Sequence, residues 1–121
     1  MHEEDFVKEE LIEFEIEDKK FKFKPVTAND ELNWADEYVE IVDGKARQSL
    51  SKLTRCKIRN LIEVPYDQEA IKNVIGIEKE WKDLNKEERW DLIGKLKPKV
   101  FDLIVTKINE LDSPNKDVKK N

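Results

Sequence analysis

The chain is poor in the residues that carry most side-chain chemistry. Of its 121 residues one is histidine, one is cysteine and three are glycine. The histidine, His2, lies in the acidic opening MHEEDFVKEE. Nothing there predicts the fixed geometry that a general base needs. Cys56 has no second cysteine, which excludes an internal disulfide and fits a reducing compartment. It also lacks a histidine in any ordered segment to activate it, so it reads as a small half-buried residue despite its neighbours Arg55 and Lys57. Gly44, Gly76 and Gly94 are scattered, so no phosphate-cradling loop is present. No cysteine–histidine spacing suits zinc, and no aspartate loop suits calcium. No apolar run approaches the roughly 18 residues of a membrane span, and the opening has no apolar stretch of the signal-peptide kind. These absences lead to the expectation of a non-enzymatic cytoplasmic protein with no cofactor and no metal.

What the chain has in quantity is charge of both signs. Charged residues make up 42% of it, well above the roughly 25% usual for soluble domains. There are 28 acidic against 23 basic residues, for a net charge of −5. The signs are interspersed, so this is a charged surface around a core and not a polyelectrolyte tail. Five Phe, three Trp and two Tyr can supply that core, and the length fits one domain.

The hydrophobic pattern predicts an α+β domain over residues 11–111, a β-hairpin packed on about five short helices, with a mobile acidic lead-in at 1–10 and a disordered tail at 112–121. In IEFEIEDKKFKFK, Ile12, Phe14 and Ile16 alternate with Glu13, Glu15 and Glu17, and Phe21 and Phe23 with Lys22 and Lys24. That is a hairpin over 11–24, with its turn expected at Asp18-Lys19-Lys20 and its end at Pro25. A helix is expected over 30–42, with Thr27 or Asn29 as N-cap and Asp43-Gly44 as its stop. On it Leu32, Trp34, Ala35, Tyr38, Val39, Ile41 and Val42 fill half the circumference. A second helix is expected over 49–62, capped by Ser49. Helices over 67–75 (Asp67 cap, Gly76 ending), 85–96 (Asn85 with Glu88 as capping box) and 98–111 (Pro98 at N1) complete the domain. Leu103 lies off the core stripe of the last helix.

One stretch departs from the acidic background. No Asp or Glu falls between Asp43 and Glu63, while KARQSLSKLTRCKIRN carries Lys45, Arg47, Lys52, Arg55, Lys57 and Arg59. Projected on a helix, Lys52, Arg55 and Arg59 share a face. Lys57 falls in the apolar arc, where it must snorkel, pair with an acid or face something beyond its own core. One reading is a small nucleic-acid-binding regulator using helix 49–62. The acidic helix before it, with Asp36, Glu37 and Glu40 exposed, would repel phosphate within a Debye length of about 10 Å. The other reading is charge complementarity between proteins. The acidic and basic faces can pair within one chain, or the acidic face of one copy can meet the basic face of the next.

FEIEDKKFKFKPVTANDELNWADEYVE resembles the opening of the tail assembly chaperones of long-tailed phages and prophages, where an alternating strand pair leads through a Thr into an acidic helix. LIGKLKPKVFDLIVTKINELD is similar to the final helices of such proteins. The resemblance implies a non-enzymatic role in the host cytoplasm. Family members bind the long, helical tape measure protein, help recruit tail tube proteins around it, and are absent from the mature virion; many relatives also make a longer frameshifted form. The family carries over no catalytic residues. From the helix faces alone, Trp34, Tyr38, Ile41, Lys52, Arg55, Arg59 and Leu103 are the candidate contacts for such partners or for a homo-oligomer.

Overall fold

The computed structural model describes residues 2–8 and 10–112. The fold is α+β, with five α-helices among the described residues and a small antiparallel sheet that opens on an N-terminal hairpin. Strands β1 (Ile12–Ile16) and β2 (Lys19–Phe23) pair with Phe14 opposite Phe21 and Ile12 opposite Phe23. The turn is Glu17-Asp18, both at positive φ (51° and 66°), a two-residue turn of the I′ kind. It therefore falls earlier than the expected Asp18–Lys20. The earlier turn sets Lys19 opposite Ile16 and keeps Phe14, Ile16, Phe21 and Phe23 on one buried face; a one-residue slip would turn one strand's set outward. The Phe14 and Phe21 rings stack at 5.2 Å between centroids.

Helix α1 (Ala28–Tyr38) starts on the Thr27 cap. The Thr27 hydroxyl accepts from the Asp30 N–H, and the Asp30 carboxylate accepts from the Thr27 N–H. The helix stops four residues short of the expected Val42. Val39–Val42 is a strand, β3, and Lys45–Gln48 is its partner β4, with Val42 opposite Lys45. Asp43 and Gly44, at φ 52° and 75°, form a second I′ turn between them and are not a helix stop. Val39, Ile41 and Val42 are β-branched and lose side-chain freedom in a helix, and Asp-Gly is the preferred sequence for this turn.

Helix α2 (Leu50–Ile58) follows, with the Ser49 hydroxyl accepting from the Lys52 N–H at 3.4 Å. It too ends short of the expected Ile62, because Leu61–Glu63 is a third strand, β5, on the open edge of β2. The pairing buries Leu61 completely, and the Trp81 indole N–H donates to the Leu61 carbonyl at 2.9 Å. Asn60 fastens the junction. Its carbonyl accepts from the Lys24 N–H at 2.7 Å, and its amide donates to the Lys24 carbonyl and toward Asp30.

Helices α3 (Gln68–Ile75), α4 (Lys86–Gly94) and α5 (Pro98–Leu111) lie close to their expected spans. Asp67 caps α3 and Gly76 closes it at φ 74°; the Asn85–Glu88 capping box opens α4. The core gathers the inner face of the hairpin with Ile58, Ile71, Trp81, Ile93, Ile104 and Ile108. The expected lead-in forms one 3₁₀ turn at Glu3–Asp5. Of the expected tail, Asp112 is placed at the end of α5, and 113–121 lie outside the described residues.

Candidate protein interface

Two of the acids, Glu37 on α1 and Glu40 on β3, meet bases at α2 and its end inside the chain. Arg59 grips Glu37 with two parallel hydrogen bonds, each 2.6 Å, and Lys86 stands 3.8 Å from the same carboxylate. This fork-on-fork geometry is the strong form of the pair. The Arg59 hydrogen bonds hold the Glu37 carboxyl below the usual glutamate range against the opposing effect of burial, and Glu37 raises Arg59 in turn. Lys52 Nζ donates to Glu40 at 2.6 Å. Lys57 reaches the far end of the fold, 3.0 Å from Asp112 and 2.9 Å from the Asn109 side-chain oxygen. The Arg55 guanidinium lies 4.9 Å from the centre of the Trp90 ring, within cation–π range.

The residues singled out from the sequence are thus divided. Arg59 is joined to α1 and Lys52 to β3, and Arg55 covers an aromatic ring. Trp34 is 5% exposed, so its ring packs inside and does not edge an outer groove. Tyr38 is half-buried at the last turn of α1. Ile41 is 72% exposed, on β3 and not on a helix. Leu103 is exposed on α5, away from the buried Ile104 and Ile108. Three of the seven residues in the supposed apolar arc, Val39, Ile41 and Val42, are not helical at all.

What remains open to a partner is the hairpin that interrupts the two helices. All four residues of β4 are exposed, and Ile41 on β3 is flanked in sequence by further exposed leucines, Leu32 on α1 and Leu50 at the start of α2. Lys45 and Arg47 lie on one face of the hairpin. Glu40 stands opposite Arg47 in the strand register but gives its carboxylate to Lys52. The signal for this element was Asp-Gly between VEIV and KARQ.

The remaining chemistry is spare. Cys56 is fully buried, and burial pushes its thiol up, away from the reactive thiolate. His2 Nδ1 lies 3.5 Å from Glu4, on the surface. Among the described residues no three His, Cys, Asp or Glu side chains converge as a metal site requires, and no helix is long and apolar enough to cross a membrane. An apolar cavity of about 100 Å³ lies between Tyr66, Ala70, Val74, Leu92 and Leu96. A larger groove of about 690 Å³ is lined by the segment before β1 together with Pro25, Val26, Glu31 and Leu111. Compared with family models, curated proteins and solved structures, the chain matches none.

Proposed function

We propose that the protein is a non-enzymatic assembly chaperone of a phage tail, which binds a tape measure protein and assists tail tube assembly through protein–protein contacts in the host cytoplasm. The observation that supports this best is the surface around the second hairpin. Ile41 on β3 and Leu50 just after β4 are more than two-thirds exposed, and β4 between them carries Lys45 and Arg47, the mixture of apolar and charged groups that a protein-binding surface uses. The likeness of FEIEDKKFKFKPVTANDELNWADEYVE to the chaperone opening gives the kind of partner, a long amphipathic helix. The nucleic-acid reading is the weaker one, because Lys52 and Arg59 are neutralised by Glu40 and Glu37 and Lys57 by Asp112. A phosphate backbone would have to displace those partners.

Co-expression with tagged fragments of a tape measure protein tests the proposal. The expected result is co-purification and increased solubility of the fragment, weakened when Ile41 and Leu50 are both changed to Ser. A fragment series that neither binds nor gains solubility, beside retardation of duplex DNA at modest salt, would move the assignment to the nucleic-acid reading.

A further inference from the structure

Glu37 and Glu40 are paired with Arg59 and Lys52 within the chain, so a contact between copies is better served by other groups. Two elements offer them. The first is the outer edge of β4. In a two-residue I′ hairpin the pair beside the turn exchanges both backbone hydrogen bonds, and pairs then alternate. Counted from Val42 opposite Lys45, Lys45 and Arg47 turn their backbone groups toward β3, and Ala46 and Gln48 turn theirs out of the sheet. This edge is short and fully exposed, and an unpaired edge is a template for another strand. Its side chains are Lys45 and Arg47 on one face and Ala46, beside Ile41, on the other. Neither cation is in an ion pair with another described residue.

The second element is the arm before β1. It carries Glu3, Glu4, Asp5 and Glu10 with a single described cation, Lys8. It also exposes apolar side chains: Phe6 at 77%, Val7 at 43% and Leu11 at 44%. Past the 3₁₀ turn the backbone at Phe6 is extended, at φ −105° and ψ 144°, and the turn itself buries no residue that would hold it closed. The arm and its own domain together line the 690 Å³ groove, which the arm does not fill.

We propose that the arm of one copy adds as a strand to the β4 edge of a second copy. With the 3₁₀ turn opened into a strand, period-two alternation sends Asp5 and Phe6 to opposite faces. That matches Lys45 and Arg47 on one face of the hairpin and Ile41 on the other. Main-chain hydrogen bonds along the edge give affinity, and the side chains on the two faces give register. Each copy offers one arm and one edge, so the contact is heterologous and propagates into a ring or an open chain. This goes beyond the tape measure reading, because it needs no other protein.

Sedimentation velocity of the purified full chain tests it without any tape measure fragment, so either proposal can fail alone. The chain is expected to associate at low salt and dissociate at high salt. The arm-reversed form E3K/E4K/D5K and the edge-reversed form K45E/R47E are each expected to stay monomeric. Their mixture is expected to associate, since each arm then meets an edge of opposite sign. Phe6→Ser is expected to weaken association on the order of tenfold, the effect of one apolar anchor lost. Circular dichroism melts matching the parent show that each variant is folded. A monomeric parent at low salt, self-association of either reversed form at the parent's level, or a mixture that stays monomeric would each overturn the proposal.

Discussion

The β1–β2 and β3–β4 hairpins turn on the same two-residue geometry, with both turn residues at positive φ, yet only the first lies on a core. β1–β2 buries Phe14, Ile16, Phe21 and Phe23 beneath helices and gains β5 as a third strand. Among the described residues β3–β4 pairs only with itself, and its second strand, KARQ, has no apolar face to bury. Two paired strands alone are marginal in water, so the first hairpin belongs to the folding unit and the second is carried by it. Turn chemistry and strand pairing decide that a hairpin forms. Apolar payload decides whether it is structure or surface.

The sharpest way to break this contrast is to remove one payload residue from each hairpin. Phe23→Ala, at a position with no exposure, is expected to cost about 3–5 kcal/mol in urea unfolding. Ile41→Ser is expected to change stability by less than about 0.5 kcal/mol. Comparable losses would mean that the second hairpin is part of the core. Native-state hydrogen exchange gives a finer test. Amides of Phe21 and Phe23 are expected to exchange only by global unfolding, and those of Lys45 and Arg47 by local opening of β3–β4. Equal protection would contradict the separation.

A third test asks what ties the hairpin's supporting helices together. Arg59→Ala is expected to cost about 1–2 kcal/mol, the loss of charge-assisted hydrogen bonds to Glu37. The same pair gives an acid dependence. Glu37 binds its proton less readily folded than unfolded, so the unfolded chain holds more protons as pH drops below about 4.5. Asp30 adds to this: burial would raise its carboxyl, but hydrogen bonds from Thr27 and Asn60 hold it below its ordinary value. Stability contributed by both is present above the unfolded values and is lost as pH falls through the folded ones. Thermal melts from pH 6 downward are expected to show that loss, and Glu37→Gln is expected to flatten it. A change of opposite sign is expected at Tyr66, whose buried hydroxyl has no hydrogen-bond partner among the described residues. Tyr66→Phe is expected to leave stability unchanged or to raise it by about 1 kcal/mol. A clear loss would show that the hydroxyl is bonded.

The first hairpin, the caps at Thr27, Ser49, Asp67 and Asn85, and the last three helices were legible because each is written in a local pattern of period or capping. β3 was not. Val39, Ile41 and Val42 extend the apolar arc that begins at Leu32, so on a helical projection they look like one more turn, and Asp-Gly looks like a stop. β5 was hidden for another reason. Three residues hold no period, and Leu61–Glu63 becomes a strand only because β2 has an open edge for it. The charged site was half visible. The faces of α1 and α2 could be drawn from spacing, but whether Arg59 meets Glu37 of its own chain, 22 residues away, depends on how the two helices pack. Trp34 was misplaced for the same reason, since a position at the edge of an arc becomes interior once a neighbour covers it.

Asn60 has a mechanical consequence. It is bonded to the main chain at the end of β2 and reaches toward Asp30 in the cap of α1, at the point where α2 gives way to β5. The sheet, the start of one helix and the end of the next therefore share a single rivet. The helices that flank the β3–β4 hairpin are thereby coupled to the sheet through one side chain. Removing that one side chain is a perturbation of the third strand and of both helices at once, while the aromatic core keeps its own contacts.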